Sequence, residues 1–442
     1  MLLLLTSTLV DYFAGLMMGR APSRRKRTKY LVISLVSNLG LLFFFKYYDF
    51  FSDSLTSFFG LFHCPVQPPE LNLLLPIGIS FYTFQTLSYS IDVYRGRQKP
   101  ERHLGRFALF VSFFPQLVAG PIERSRNLLP QFLRKINFDY VRVTDGLKLM
   151  AWGLFKKVVI ADRLAVLVDT VYNNPADLTG VHFVVATVFF AFQIYCDFSG
   201  YSDIAIGGAR VLGFDLMDNF NRPYSSRSTS EFWKRWHISL SSWFRDYLYI
   251  PLGGSRVRIP RWCFNIAVVF LISGFWHGAN WTFVIWGGLH GFYLLFGAAT
   301  GGVRRKIARR LMLHRIPGLQ KTAALLVTFI LVTFAWIFFR ANNVSDALHI
   351  VSRLPVGWNA LLSVEGMRAV FLQMGMGRVS FIIAIMSIFF MELVHYVERH
   401  RNMRTMLSDR PAWVRWPFYI ILVLAIINLG GMNAVPFIYF AF

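Results

Sequence analysis

Apolar positions in this chain neither alternate with polar ones, as in a half-buried strand, nor mark a single stripe along a helix. They run on in blocks of about twenty residues broken by short polar segments. A helix needs roughly 20 mostly apolar residues to cross a bilayer. Blocks of that kind fall at 1–19, 30–50, 72–92, 142–170, 183–206, 262–280, 282–300, 319–339, 378–397 and 416–436. Two shorter apolar pieces, near 105–120 and 236–252, are interrupted by Pro115, Gly120, Pro121, Arg245 and Asp246. Broken backbone is tolerated at membrane depth only where protein or a water-filled cavity covers it, so these pieces read as re-entrant or interfacial. The pattern predicts an all-α polytopic membrane protein of about 10–11 transmembrane helices plus re-entrant or interfacial helices. It is expected to form one membrane-embedded domain over 1–442, with no appended soluble domain.

Composition agrees: of 442 residues, 55% are hydrophobic and 16% charged, against about 25% charged in soluble proteins. The net charge of +23 would suggest nucleic acid in a soluble protein. Here the basic residues cluster between apolar blocks and set orientation instead, so no nucleic-acid partner is expected. Arg20–Lys29 holds six Lys and Arg, Arg95–Arg106 five and Arg304–Arg310 five, and 399–415 is again basic; these segments face the cytoplasm. Phe50–Asp92 and Val171–His182 carry none and fall on the other side. The loop 340–376 lands there too, although it holds Arg340, Arg353 and Arg368. The first block lacks a basic n-region and a small-residue cleavage site, so it is expected to be retained. Cys64, Cys196 and Cys263 make neither a disulfide framework nor a metal-finger spacing, and no metal or bound cofactor is expected.

Polar groups inside spans are expensive, which makes them the place to look for chemistry. His277 lies in the run SGFWHGANW (273–281), beside Trp276 and Asn280, and His290 lies in WGGLHG (286–291). At 1.5 Å per residue from a start near Thr282, His290 sits roughly 12 Å into the bilayer. An imidazole there either satisfies a hydrogen bond between helices or does chemistry. The small residues Gly287, Gly288 and Gly291 leave room for close approach. Neutral imidazole is the usual general base near neutral pH, so we read His290 as catalytic. For His277, catalysis and a supporting role stand open. A second constellation, Asp197, Ser199, Tyr201, Ser202 and Asp203, sits late in a span as a packing network or the lining of a substrate path. A third, from Asn219 to Tyr247, interleaves basic and aromatic residues, among them Trp236, His237 and Arg245. It reads either as interfacial anchoring or as a vestibule for an anionic acyl carrier. His-Glu-x-x-His, the phosphate loop and Gly-x-Ser-x-Gly are all absent, which disfavours metalloproteolysis, ATP-driven transport and serine hydrolysis.

Together the two histidine runs, DFSGYSD (197–203), EFWKRWHISLS (231–241), LPIGISF (75–81), FPQLVAGPI (114–122), RDYLYIPLGG (245–254) and FIYF (437–440) resemble the membrane-bound O-acyltransferases over nearly the whole chain. Within them the likeness is to members that acetylate bacterial polysaccharides. The resemblance implies tilted helices around a central tunnel in the bacterial inner membrane. It also implies an acyl thioester donor such as acetyl-CoA on the cytoplasmic side, an extracytoplasmic polysaccharide acceptor and a periplasmic partner acetyltransferase. It places the essential histidine at His290 and a second motif histidine at His277; Asp197, Ser199, Tyr201, Asp203, Trp236, His237, Arg245, Trp276 and Asn280 are expected to bind substrate or line the tunnel. Relatives usually carry one more apolar stretch before Leu2–Gly19, so the start is expected to be internal or that helix dispensable. Acetyl is favoured over D-alanyl by DFSGYSD. Peptidoglycan or teichoic acid as acceptor, or transport of a glycolipid or donor without chemistry, are the alternatives.

Overall fold

The computed structural model describes residues 2–64, 66, 68–76, 78–117, 120–310, 315–401, 403–431 and 436–438. Ile77, Val118, Ala119, Tyr439 and Phe440 of the motifs above lie outside them. Helices are the regular secondary structure of the described residues, with no strand among them. Among the described residues, eight helices are long and apolar enough to cross a membrane, and the chain is a multi-pass membrane protein.

Helix α1 (Leu2–Arg20) turns into α2, which runs from Arg24 to Gly60 through a π-helical turn at Phe43–Tyr47. The block at 72–92 gives a shorter helix than its hydropathy predicts, α3 (Ile79–Tyr94), because Pro76 and the left-handed Gly78 (φ 79°) keep the preceding residues from continuing it. Next comes a rod, α4, of Tyr140–Leu154, a π-helical turn Phe155–Ala161, and Asp162–Asn173. It is continuous over the block predicted at 142–170, yet it is not among the eight apolar helices. Its middle carries Lys156, Lys157, Asp162 and Arg163.

Helix α5 (Gly180–Leu212) is the most buried of the spans. A box between Thr179 and His182 starts it, and Gly213 at φ 93° ends it. It packs on α4 through glycines spaced seven residues apart on each helix. A Cβ at Gly153 would stand 2.6 Å from the Gly200 carbonyl oxygen, and one at Gly207 2.6 Å from that of Gly146. In lipid, where apolar side chains gain little by leaving the solvent, such close backbone approach is what holds helices together.

Two short helices, α6 (Thr229–Arg235) and α7 (Ile238–Phe244), occupy the 219–247 segment in which basic and aromatic residues interleave. Helices α8 (Ile259–His277) and α9 (Trp281–Ala299) then form a hairpin, with Asn280 capping α9 by accepting from the Thr282 amide at 3.0 Å. Here too glycine sets the distance: a Cβ at Gly274 or Gly287 would stand 2.2 Å from the carbonyl oxygen of Phe283 or Phe270. Helices α10 (Pro317–Arg340), α11 (Arg378–Val397) and α12 (Ala412–Leu429) complete the spans.

Candidate active site

His290 is fully buried midway along α9, nine residues from its start, about 13 Å along the axis. Aromatic rings enclose it. Trp233 of α6 lies edge-on at 5.0 Å between centroids, Trp286 at 5.1 Å, and Phe232 stacks parallel at 6.1 Å. The His277 ring meets the same Trp286 at 5.1 Å, so one indole separates the two imidazoles. The turn between α8 and α9, closed tightly by Gly274 and Gly287, is what brings residues thirteen apart onto one side chain.

The contacts of His290 fix its protonation. The Trp233 indole Nε1–H donates to His290 Nδ1 at 3.2 Å. An acceptor nitrogen carries no proton, so the neutral ring holds its hydrogen on Nε2. That Nε2 is buried and has no hydrogen-bond partner among the described residues, and neither does the indole Nε1 of Trp286. Two N–H groups on adjacent rings are thus withheld from water and left unsatisfied. Such groups cost about 1–3 kcal/mol each when buried, which a folded protein tolerates where a ligand completes them.

His277 sits at the C-terminal end of α8. Lys46, from the π-helical turn of α2, donates to the carbonyl oxygens of Trp276 (3.0 Å) and His277 (3.2 Å). A cation at a helix C-terminus complements its dipole, and here it fixes the end of the helix that carries the histidine. Trp276 itself turns the other way and packs on Phe84 of α3 at 3.7 Å between centroids.

The acidic run on α5 meets lysines of α4. Asp203 pairs with Lys156 at 2.7 Å, and the same ammonium donates to Ser199 at 2.9 Å. Asp197 pairs with Lys157 at 2.9 Å and accepts from the Ile438 amide at 2.8 Å, while Lys157 also reaches Asp162 at 2.7 Å. Tyr201 packs on Phe437 at 4.5 Å, with Lys157 5.6 Å from the centre of its ring. The π-helical turn lets two consecutive lysines serve two carboxylates six residues apart. Of the sequence-predicted set, Trp236 is buried between Phe232 and Trp336 (5.5 and 5.1 Å). The His237 Nδ1 is 3.0 Å from Asn219 Oδ1. Arg245 lies apart, exposed and paired with its neighbour Asp246.

A cavity of about 590 Å³ is lined by Lys157, Asp162, Asp197, Gly278, Asn280 and Arg340 among others. It joins the α5 carboxylate cluster to the turn just after His277. Sequence reasoning passed over Lys46, Lys156, Lys157 and the role of Trp233. The two consecutive lysines at 156–157, inside an apolar block, were the available signal, since cations there need acidic partners. Among the described residues there is no cluster suited to a metal ion.

The family model for MBOAT, the membrane-bound O-acyltransferase family, matches residues 102–337. A probable alginate O-acetylase AlgI of Pseudomonas aeruginosa is 42% identical over 342 residues, 77% of this chain and 63% of the relative. The chain therefore spans less than two thirds of that relative's length. The probable alginate O-acetylase AlgI of Pseudomonas putida is 37% identical over 456 residues, covering 98% of this chain and 89% of its own. A peptidoglycan O-acetyltransferase of Helicobacter pylori is 38% identical over 385 residues, 81% of this chain and 70% of its own.

Proposed function

Because the chain belongs to the membrane-bound O-acyltransferase family, we propose that it carries acetyl from a cytoplasmic thioester, acetyl-CoA in the first instance, to a hydroxyl beyond the bacterial inner membrane. The end product is an O-acetylated extracellular polysaccharide of the alginate kind, and a periplasmic partner protein completes delivery. One observation carries the reading: a fully buried imidazole midway along an apolar helix long enough to span a bilayer, whose Nε2 has no partner among the described residues; we place the cavity near His277 on the outer side. The outer cavity is the entry for the hydroxyl. The thioester arrives from the opposite side.

With Nδ1 engaged by Trp233, the chemistry of His290 runs through Nε2. The C–S bond breaks and a C–O bond forms. The hydroxyl proton ends on the departing sulfur, while the Nε2–H stays on the ring and donates a hydrogen bond to that sulfur as charge develops on it. Trp286 Nε1–H supplies a donor for the carbonyl oxygen as charge develops on it. Enclosure by aromatic rings keeps water from the thioester. The same geometry makes Nδ1 a poor nucleophile, which argues against an acyl-imidazole.

The test of the function is stoichiometry. Membranes holding the protein and supplied with labelled acetyl thioester should release one free thiol for each acetate ester appearing on polymer. If donor and acceptor remain chemically unchanged, transport or scaffolding replaces this reading. The Helicobacter pylori relative makes peptidoglycan the second acceptor to assay.

Trp233→Phe probes the tautomer. Phenyl keeps the packing and removes one donor, a loss of about 1–1.5 kcal/mol, so kcat should fall roughly tenfold. KM for the thioester should move less than twofold, because the indole acts on the ring and not on the donor. An unchanged kcat would remove Trp233 from the mechanism.

A further inference from the structure

On the cytoplasmic face, away from His290, a concavity of about 650 Å³ lies between the turn after α1 and the end of α3. Arg24 and Arg27 of the first turn of α2 line it, with Arg95 and Arg97 just past α3 and Tyr94 between them. No carboxylate lines it. Orientation in the membrane asks only that such arginines lie on the cytoplasmic side, not that four of them converge on one hollow. Like charges gathered there repel, and they do so without relief, since none of the four forms an ion pair among the described residues.

Two of the four are held in place. Arg27 donates to the Val93 carbonyl oxygen at 3.0 Å, while its Nε is buried with no partner among the described residues. Arg95 donates to the Asp246 carbonyl oxygen at 3.1 Å and lies over the Tyr247 ring. Arg24 and Arg97 are the exposed pair. Held and exposed guanidinium groups around one hollow suit a polyanion whose oxygens accept in pairs, as phosphate does.

We propose that this hollow is a binding site for a phosphate-bearing ligand at the cytoplasmic surface. The phosphate belongs either to the nucleotide part of a soluble thioester donor or to the headgroup of an anionic lipid of that leaflet. The nucleotide source rests on the acyl-transfer reading and the lipid source does not, and both are read as binding and not as turnover.

The test uses the full chain in nanodiscs of neutral lipid with labelled adenosine 3′,5′-bisphosphate, and in nanodiscs containing phosphatidylglycerol with retained lipid counted by native mass spectrometry. The variant is Arg24→Gln with Arg97→Gln, two exposed side chains. Arg309→Gln with Arg310→Gln removes the same charge from the same face elsewhere. The site predicts that the first variant loses about tenfold in affinity for one of the two probes, while the second loses less than twofold. Loss confined to the nucleotide assigns the phosphate to a soluble donor, and loss confined to phosphatidylglycerol assigns it to the leaflet; either supports the site. Equal loss in both variants, or none in either, overturns it.

Discussion

Replacing His290 with Ala lowers acetyl transfer by about 10²- to 10³-fold, the usual worth of a hydrogen-bond donor aimed at developing charge, while the chain still inserts and folds. The fold survives because the substitution strands only the Trp233 N–H, at about 1–3 kcal/mol. The rest of the aromatic enclosure, Trp286, Trp336 and Phe232, packs independently of the imidazole. The measurement is the acetate content of each extracellular and cell-wall polymer, wild type against variant, at matched membrane levels. Loss from one polymer alone identifies the acceptor as well. Acetylation at the wild-type level removes His290 from the mechanism.

Lys157→Met is the second large effect, and it falls on stability. One ammonium balances Asp162 and Asp197 within 3 Å in a mostly buried setting. Removing it leaves two carboxylates without their cation, and breaking a buried pair costs about 3–5 kcal/mol. Thermal unfolding in detergent should show a drop of many degrees. The triple change Lys157→Met, Asp162→Asn, Asp197→Asn should recover most of it, because no charge is then left uncompensated. If the single variant melts with wild type, the cluster is not holding α4 to α5. If the triple variant is stable but inactive, the charges serve the outer cavity directly.

Much of this was legible in the chain. Long apolar blocks mark spans whatever the fold, so α1, α2, α5 and α8 to α12 follow from hydropathy. The helix α3 was overread because Leu73, Leu74 and Leu75 are apolar in an extended segment, and hydropathy does not register a chain break made by backbone conformation. The two histidines were visible because imidazole is costly in lipid. Their meeting was not, since it depends on how tightly Gly274 and Gly287 let α8 and α9 close. The carboxylates of α5 were visible for the same reason as the histidines. Their partners lie about forty residues earlier on another helix, and pairing across helices is a tertiary fact. Which nitrogen of His290 holds the proton was beyond reach for a similar reason: Trp233 comes from a short helix fifty-seven residues earlier.

The π-helical turn at Phe155–Ala161 bears on how this chain can change over time. A widened turn holds one residue more than an α-helical turn of the same reach. Deleting a single residue there would restore ordinary winding and leave the helix beyond it in place, whereas the same deletion in an α-helical part of α4 would rotate everything beyond it by about 100° about the helix axis. In that second case the remainder of α4 would present a different side to its neighbours. The wide turn is therefore a place along α4 where descent can shorten the chain by one residue without changing which faces meet.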